Sequence, residues 1–363
     1  MFVDAPIRRL IAALGCLAAL ALATPAFADG FEVAATGDLI THSKVSAVAR
    51  KAGGGWNFQR FFSNIGPLIA GADLAICHQE TVIGPGPPRG FPRFRGPRAI
   101  PRAEAAIGWD ACSTASNHSF DHGAKGIDST LDALNSNGIA HAGTYRTRSG
   151  SEKARLIKAH GHRVALLSYT GGVNPSGFNA PAWQPERTRF GRILADARRA
   201  RRAGAEAVIV NLHWGHDVEP EPGARRIAYA RRLLDHHAIS ALIGQGPHVV
   251  WPIEFFHGKP AVMSEGNLLY AHDPRNQGWE ESGIVALLKF HPSRGKLRAT
   301  GVRYVPLTQR RDDLKLFTAL GDPPESAALQ QRIRDDYIHA TEVIGSSDRV
   351  QPLPANPPPR DDG

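Results

Sequence analysis

The sequence lacks long apolar runs after its first 28 residues, internal repeats and the usual nucleic-acid-binding patterns. No later stretch reaches the roughly 18 to 20 apolar residues of a membrane-spanning helix, so the mature protein is expected to be soluble. Zinc-finger and homeodomain patterns are absent, and the arginines do not alternate with aromatic residues as in a single-strand-binding groove. Nucleic acid is therefore not an expected partner.

The first 28 residues have the layout of a cleavable secretory signal. Arg8 and Arg9 precede an apolar stretch at 10–22, and Ala-Phe-Ala at 26–28 resembles a cleavage site. We therefore predict an exported protein, periplasmic or secreted, with an uncleaved signal anchor as the alternative.

Short apolar runs alternate with segments of helical spacing from residue 31 onward. Strands are predicted at 31–36, 74–77, 111–115, 139–141, 163–169, 207–212 and 240–243. Helices are predicted at 58–70, 124–136, 189–203 and 224–236. Antiparallel patterns follow residue 243, so the sequence predicts an α/β (α+β) fold with mixed sheets sandwiched by helices. The domain is expected to span 29–348, and the Pro-rich segment 349–363 is expected to be a disordered tail.

Composition gives two further indications. A formal net charge of +9 favours anionic partners such as a polyanionic polymer, phosphate groups or an acidic membrane surface. Only two cysteines follow the predicted signal, Cys77 and Cys112, and both end apolar runs. A disulfide and two buried free thiols are equally compatible with the sequence, because a bridge depends on the Cα separation.

Polar side chains follow most of the predicted strands. In open α/β sheets ligands bind beyond the carboxyl ends of the strands, so these side chains are expected to converge. A mixed set of oxygen and nitrogen ligands suits Mn²⁺, Zn²⁺ or iron. The strand-end residues with this chemistry are Asp38, Glu80, Asn117, His118, His141, His213 and His248.

Five motifs in order resemble the poly-γ-glutamate capsule-synthesis family, the CapA-type proteins, which are similar in fold to calcineurin-like metallophosphatases. The most specific is the run 115–126, which contains Ser116-Asn117-His118 and then Asp121 before two spaced glycines. The other four are Gly37-Asp38, residues 73–80, His213-Trp214-Gly215 and residues 243–267.

This resemblance implies a role for each matching residue. Asp38 would bind one metal, Glu80 would bridge two metals, Asn117 would bind the second, and His213 and His248 would complete the ligand spheres. His118 would be the acid beside the metals. One or two divalent ions of Mn, Zn or Fe would serve in phosphoester hydrolysis.

The sequence departs from the family pattern at two ligand positions. Ile40 stands where calcineurin-like enzymes have a histidine, and Gly246 stands where a second histidine is usual. His42 or His78 are candidates to substitute, and a single metal or no metal remains an alternative.

The Gly-, Pro- and Arg-rich segment 84–101 is predicted to be a long loop near the site. Arg93 and Arg95 in this loop are expected to contact an anionic substrate. Asn267 is either a substrate contact or a turn residue. Asp121 either orients His118 or caps the following helix, and its position favours the cap.

The resemblance implies one of two functions. The first is a metal-dependent hydrolase of the metallophosphatase type that acts in synthesis, assembly or processing of an anionic envelope polymer. The second is a non-catalytic module that binds the polymer or assists its export. Capsule-export machinery and the membrane surface are further possible partners.

Overall fold

The computed structural model describes residues 30–174, 179–271 and 282–358, and the predicted signal peptide lies outside these ranges. The strands of the described residues are β1 (Phe31–Leu39), β2 (Leu74–Gln79), β3 (Ala111–Ser113), β4 (Ala140–Ala142), β5 (Ile157–Ala159), β6 (His162–Thr170), β7 (Ala207–His213), β8 (Ala241–Gln245), β9 (Ile253–Phe256), β10 (Lys259–Val262), β11 (Asn267–Leu269), β12 (Ser282–Ser293), β13 (Lys296–Gln309), β14 (Leu316–Phe317) and β15 (Val350–Pro352). The helices are α1 (Ser43–Ala49), α2 (Gln59–Phe62), α3 (Gly66–Ala70), α4 (Ala99–Ile107), α5 (Gly123–Asn135), α6 (Arg148–Ser151), α7 (Phe190–Arg202), α8 (Gly223–Asp235) and α9 (Ala327–Ile344).

The strands form two mixed sheets. The first sheet has the order β14-β13-β12-β1-β2-β3-β4, with β11 paired to β1 and β15 paired to β13. The second has the order β5-β6-β7-β8-β10-β9. Strands β1 to β4 are mutually parallel, as are β6 to β8, so each set has its carboxyl ends at one edge of its sheet.

The alternation of apolar residues explains why the sheets pack face to face. In β1, Phe31, Val33 and Ala35 point into a core shared with the second sheet, where Leu166 and Ile209 meet them. The outer face of the first sheet is covered by α1 to α5, and the outer face of the second by α7 and α8. The predicted arrangement of mixed sheets sandwiched by helices is confirmed.

All seven predicted strands are present, with bounds that differ by a few residues. The predicted helix 58–70 is instead two short helices, because Gly66 and Pro67 begin a new helix after Ile65. The predicted long loop 84–101 gives way to α4 at Ala99.

The prediction of a disordered tail at 349–363 was wrong for its first part. Val350–Pro352 form β15, which pairs in parallel with Val302 to Tyr304 of β13 and adds a strand to the sheet. A Pro-rich composition does not exclude a short edge strand. Residues 359–363 lie outside the described part of the chain.

Cys77 and Cys112 are bonded as a disulfide, which decides between the two possibilities left open by the sequence. They lie opposite each other on the parallel strands β2 and β3, with a Cα–Cα distance of 4.5 Å. Both are buried among apolar residues below α4. Within the described ranges, no helix is long and apolar enough to cross a membrane.

Candidate metal centre

Four buried side chains converge where the carboxyl ends of β1, β2 and β7 meet. They are Asp38, His78, Glu80 and His213, and one ligand atom of each lies within 4.8 Å of the others. Asp38 and His78 are paired neighbours on β1 and β2, whereas His213 is the last residue of β7 in the opposite sheet. The centre therefore lies between the two sheets, and the His78 and His213 rings stack at 5.1 Å across it.

Close backbone packing positions Asp38. Its N–H donates to the carbonyl of Gly266 at 2.9 Å, and β11 pairs with β1 beside it. A Cβ on Gly37 would lie 2.1 Å from the same carbonyl oxygen, so only glycine allows the two segments to approach. The carboxylate is thereby fixed at the edge of the sheet.

The polar atoms of this group fit a divalent metal. Asp38 Oδ1 and both carboxylate oxygens of Glu80 are buried without a hydrogen-bond partner. Such groups are costly to bury unless a ligand satisfies them. Ser113 Oγ lies 2.7 Å from His78 Nδ1, which orients the His78 ring and leaves Nε2 facing His213 Nδ1 at 3.0 Å. Carboxylate oxygens with imidazole nitrogens form a donor set suited to Mn²⁺, Zn²⁺ or iron.

The pKa values of the four residues also fit a metal-binding site. Burial would raise the pKa of Asp38, but the hydrogen bond and charge of His248 outweigh it and hold that pKa at about 2. Burial, and after it the negative charge of Asp38, raise the pKa of Glu80 well above its usual value. Burial lowers the pKa of His78 to about 4 and that of His213 well below its usual value. Both imidazoles are therefore uncharged at neutral pH, which is the form that binds metals.

His248, which the resemblance implies is a ligand, lies outside the four-residue group. Its Nδ1 is 2.9 Å from Asp38 Oδ2, and the N–H of Gly246 donates to the same oxygen at 3.0 Å. The charges of Glu80 and Asp38 overcome the effect of burial and raise the pKa of His248 to about 10. In this arrangement His248 neutralises and orients Asp38.

Asn267 lies beside His248 and not in a turn. It begins β11 opposite Asp38 and is 3% exposed. Its Oδ1 is 3.1 Å from His248 Nδ1, and its Nδ2 donates to the His248 carbonyl at 3.3 Å. The turn alternative was therefore wrong, and the side chain of Asn267 contacts His248.

The structure shows what surrounds the two positions that depart from the family pattern. Ile40 packs in a small apolar cluster with Phe94 and Tyr270. His42 packs edge-on against the same two aromatic rings, at 5.0 and 4.8 Å. Of the two candidates to replace a missing ligand, His78 therefore lies in the metal-binding group, whereas His42 belongs to an aromatic cluster.

Gly246 has no room for a side chain. Its φ is +104°, and a Cβ there would lie 2.9 Å from the Trp214 carbonyl oxygen and 3.0 Å from His213 Nε2. The backbone that brings Gly246 N–H to Asp38 is therefore incompatible with a histidine at this position.

The loop after β3 brings Asn117 and His118 to the same edge. Ser116 Oγ donates to the Glu80 carbonyl at 3.1 Å, which ties the loop to the end of β2. Asn117 Oδ1 is buried without a hydrogen-bond partner. His118 is 8% exposed, and its Nδ1 lies 2.7 Å from Asp121 Oδ2.

The preference for Asp121 as a helix cap was wrong. Helix α5 begins after His122 without a side-chain cap. The Asp121 carboxylate instead faces His118 and accepts from the Phe94 N–H at 2.8 Å. Asn174, which sequence reasoning missed, also contacts His118, with its Nδ2 3.0 Å from Nδ1. Like the other residues of the site, Asn174 follows the end of a strand, here β6, and this position could have indicated it from the sequence.

The two predicted substrate arginines differ in their contacts. Arg93 donates through Nε and Nη2 to the carbonyl of Asp121 at 2.9 and 2.5 Å, so it braces the His118 loop. Arg95 donates from Nε to the Pro87 carbonyl at 3.0 Å and lines a pocket outside the metal centre.

Glu265 is a further buried carboxyl group that the sequence patterns did not indicate. Burial raises the pKa of Glu265 well above its usual value.

Fold and site together define an α/β protein with a buried carboxylate–histidine centre suited to a divalent metal. The chain belongs to the family described as bacterial capsule synthesis protein PGA_cap, whose model matches residues 32–272. It is 26% identical over 251 residues to the PGA biosynthesis protein CapA of Bacillus subtilis, and 26% identical over 255 residues to the capsule biosynthesis protein CapA of Bacillus anthracis.

These matches cover 66% and 65% of the chain and span 63% and 59% of the two relatives, less than two thirds of each. Among solved structures, the chain is similar to the calcineurin-like phosphoesterase YfkN from Bacillus subtilis. That similarity has a TM-score of 0.49 with 13% identity, and it covers 86% of this chain and 98% of the other.

Proposed function

We propose that this chain is a metal-dependent hydrolase of the phosphoesterase type that acts in synthesis, assembly or processing of an anionic capsule or envelope polymer, such as poly-γ-glutamate. The observation that carries the proposal is that Asp38 Oδ1 and both carboxylate oxygens of Glu80 are buried without hydrogen-bond partners beside the uncharged imidazoles of His78 and His213. Membership of the capsule-synthesis family supports the polymer as the biological target.

The residues have separable roles in such a reaction. Asp38, His78, Glu80 and His213 would hold a divalent ion, which supplies an activated water and neutralises charge on the substrate oxygens. His118 would donate a proton from Nε2 to the leaving oxygen, because its Nδ1 faces the Asp121 carboxylate at 2.7 Å. The carboxylate fixes the orientation of the His118 ring.

Elemental analysis of the purified protein, with a panel of phosphoester and γ-glutamyl substrates in added Mn²⁺, tests this proposal. We expect bound metal and turnover for the intact chain. Asp38→Ala should lose both, whereas His118→Ala should lose turnover and keep its metal. His42→Ala is the matched control and should keep both. No metal together with no turnover in the intact protein would contradict the proposal.

A second candidate function is a non-catalytic module that binds the polymer or assists its export. It is favoured by the two departures at Ile40 and Gly246, because neither position can supply a histidine ligand. This candidate predicts that Asp38→Ala and His118→Ala leave polymer production unchanged in cells, while removal of the loop arginines abolishes it.

Location and partners form part of the same proposal. The N-terminal pattern supports export to the periplasm or beyond, and the net charge of +9 supports contact with an anionic polymer and with an acidic membrane surface. Capsule-export machinery is the proposed protein partner. Fractionation of cells that express the tagged protein tests the location, and recovery in the cytoplasm would contradict it.

A further inference from the structure

An open pocket of about 330 Å³ lies between the loop after β2 and one face of helix α5. Gly84, Arg95 and Arg98 line it from the loop, and Lys125 and Ser129 line it from the helix. None of these residues belongs to the four-residue metal-binding group.

The pocket contains three cations that no carboxylate neutralises. Within the described part of the chain, Arg95, Arg98 and Lys125 form no ion pair, and Arg98 and Lys125 are exposed. Arg95 donates to a backbone carbonyl, and Arg98 donates from Nη2 to Ser129 Oγ at 3.3 Å. All three therefore keep hydrogen-bond donors for a ligand.

The acidic residues of the pocket are engaged elsewhere. Asp128 and Asp132 both pair with Arg146, at 3.5 and 2.5 Å. With Arg146 included, four cations face two carboxylates, so the pocket has an excess of positive charge. His122 adds none at neutral pH, because burial, and after it the charges of Arg95 and Arg93, lower its pKa.

Two glycines leave room for the Arg95 side chain against the loop backbone. A Cβ on Gly84 would lie 3.2 Å from Arg95 Cδ, and one on Gly86 would lie 3.3 Å from its Nη2. The arginine stem therefore lies flat along this backbone, and its N–H groups are partly ordered. Such preorganisation reduces the entropy lost on binding.

The pocket is connected to the candidate catalytic loop. Residues 93 and 94 precede Arg95, and they bind the carbonyl and the carboxylate of Asp121. The Phe94 ring also packs against the His118 ring, with a centroid distance of 4.6 Å. On the other side, Val82 lines the pocket two residues after Glu80. The pocket loop is therefore in direct contact with the loop that carries His118.

We propose that this pocket binds the anionic oxygen groups, carboxylate or phosphate, of an extended polymer whose reacting part lies at the metal centre. Arg95, Arg98 and Lys125 contact these groups. The proposal rests on the proposed function for the nature of the polymer. Binding in the pocket itself requires no metal, so the two proposals can fail separately.

The test is fluorescence anisotropy with labelled γ-linked oligo-glutamate, and competition with tripolyphosphate, on the full chain in EDTA. The triple variant Arg95→Gln, Arg98→Gln, Lys125→Gln should bind at least about tenfold more weakly, because three charge-assisted contacts are lost. The matched control is Arg202→Gln, Arg225→Gln, Arg298→Gln, which removes the same charge from exposed positions elsewhere and should change affinity less than about twofold.

Equal weakening in the two triple variants would overturn the proposal, because it would show general attraction to a basic protein. Unchanged binding in the pocket variant would overturn it as well. A loss confined to oligo-glutamate would assign carboxylates as the ligand, and a loss confined to tripolyphosphate would assign phosphates. Lys125→Glu provides a second variant at a single exposed position, and it should weaken binding more than Lys125→Gln does.

Discussion

Replacing Glu104 by glutamine should stabilise the protein at neutral and alkaline pH. Glu104 lies on α4, is fully buried, and has one carboxyl oxygen without a hydrogen-bond partner. Cys112 Sγ lies 3.9 Å from Oε2, but this sulfur is in the disulfide and has no proton to donate. Burial raises the pKa of this carboxyl from 4.5 to about 8.

The sign of the effect follows from proton binding. Between pH 4.5 and about 8 the folded state keeps a proton on Glu104 that the unfolded state has lost, so stability falls as pH rises. Linkage over this interval gives a loss of about 1 kcal/mol at pH 5, about 3 kcal/mol at pH 6.5 and about 4 kcal/mol at pH 8. Glutamine has nearly the same shape and does not titrate, so it avoids this loss.

Urea unfolding without reductant, at these three pH values, measures the difference in free energy of unfolding between Glu104→Gln and the wild type. The advantage of the variant should grow with pH by about 3 kcal/mol from pH 5 to pH 8. Glu104→Met is the control for polarity. Because methionine does not titrate either, its free energy of unfolding relative to the wild type should rise with pH as that of Glu104→Gln does. A difference that does not change with pH would refute the reasoning.

Three further outcomes are expected. Asp121→Asn should lower turnover about tenfold or more with metal content unchanged, because it removes the charge that orients His118, and steady-state kinetics over a pH range would check it. His78→Ala should reduce bound metal in elemental analysis by at least about tenfold, whereas His42→Ala should not change it. Gly246→Ala should lower the free energy of unfolding by about 1 to 3 kcal/mol in denaturant titration, because φ is +104° and the new Cβ would meet a backbone oxygen at 2.9 Å.

The sequence could predict that strand-end residues of one sheet lie close together, because neighbouring parallel strands have their carboxyl ends at the same edge of the sheet. Asp38 and His78 illustrate this, since apolar runs locate β1 and β2 and their register brings the two side chains together. His213 is different, because it belongs to the other sheet. Its approach to His78 depends on how two sheets pack, which no local pattern specifies.

Other parts of the site depend on single tertiary contacts. Asp121 was predicted to cap α5 because it stands just before the helix, yet the Phe94 N–H and His118 draw its carboxylate into the loop. The choice between His42 and His78 likewise depended on where aromatic rings pack. Spacing along the chain contains neither kind of information.

Elements outside the central α/β pattern were harder to predict. Helix α9, an 18-residue helix capped by Ser326, follows a stretch with little periodicity, and it packs against β13. Strand β15 is three residues long in a Pro-rich segment, and its pairing partner lies some 50 residues earlier in the chain. Such elements form because a neighbouring surface is available to them.

The claim that Asp38, His78, Glu80 and His213 form a metal site is tested most directly by anomalous diffraction from crystals of the protein grown with Mn²⁺. We expect an anomalous peak at ligand distance from the Asp38 and Glu80 carboxylates and from the ring nitrogens of both histidines. A map without a peak among these four side chains, at saturating Mn²⁺, would contradict it.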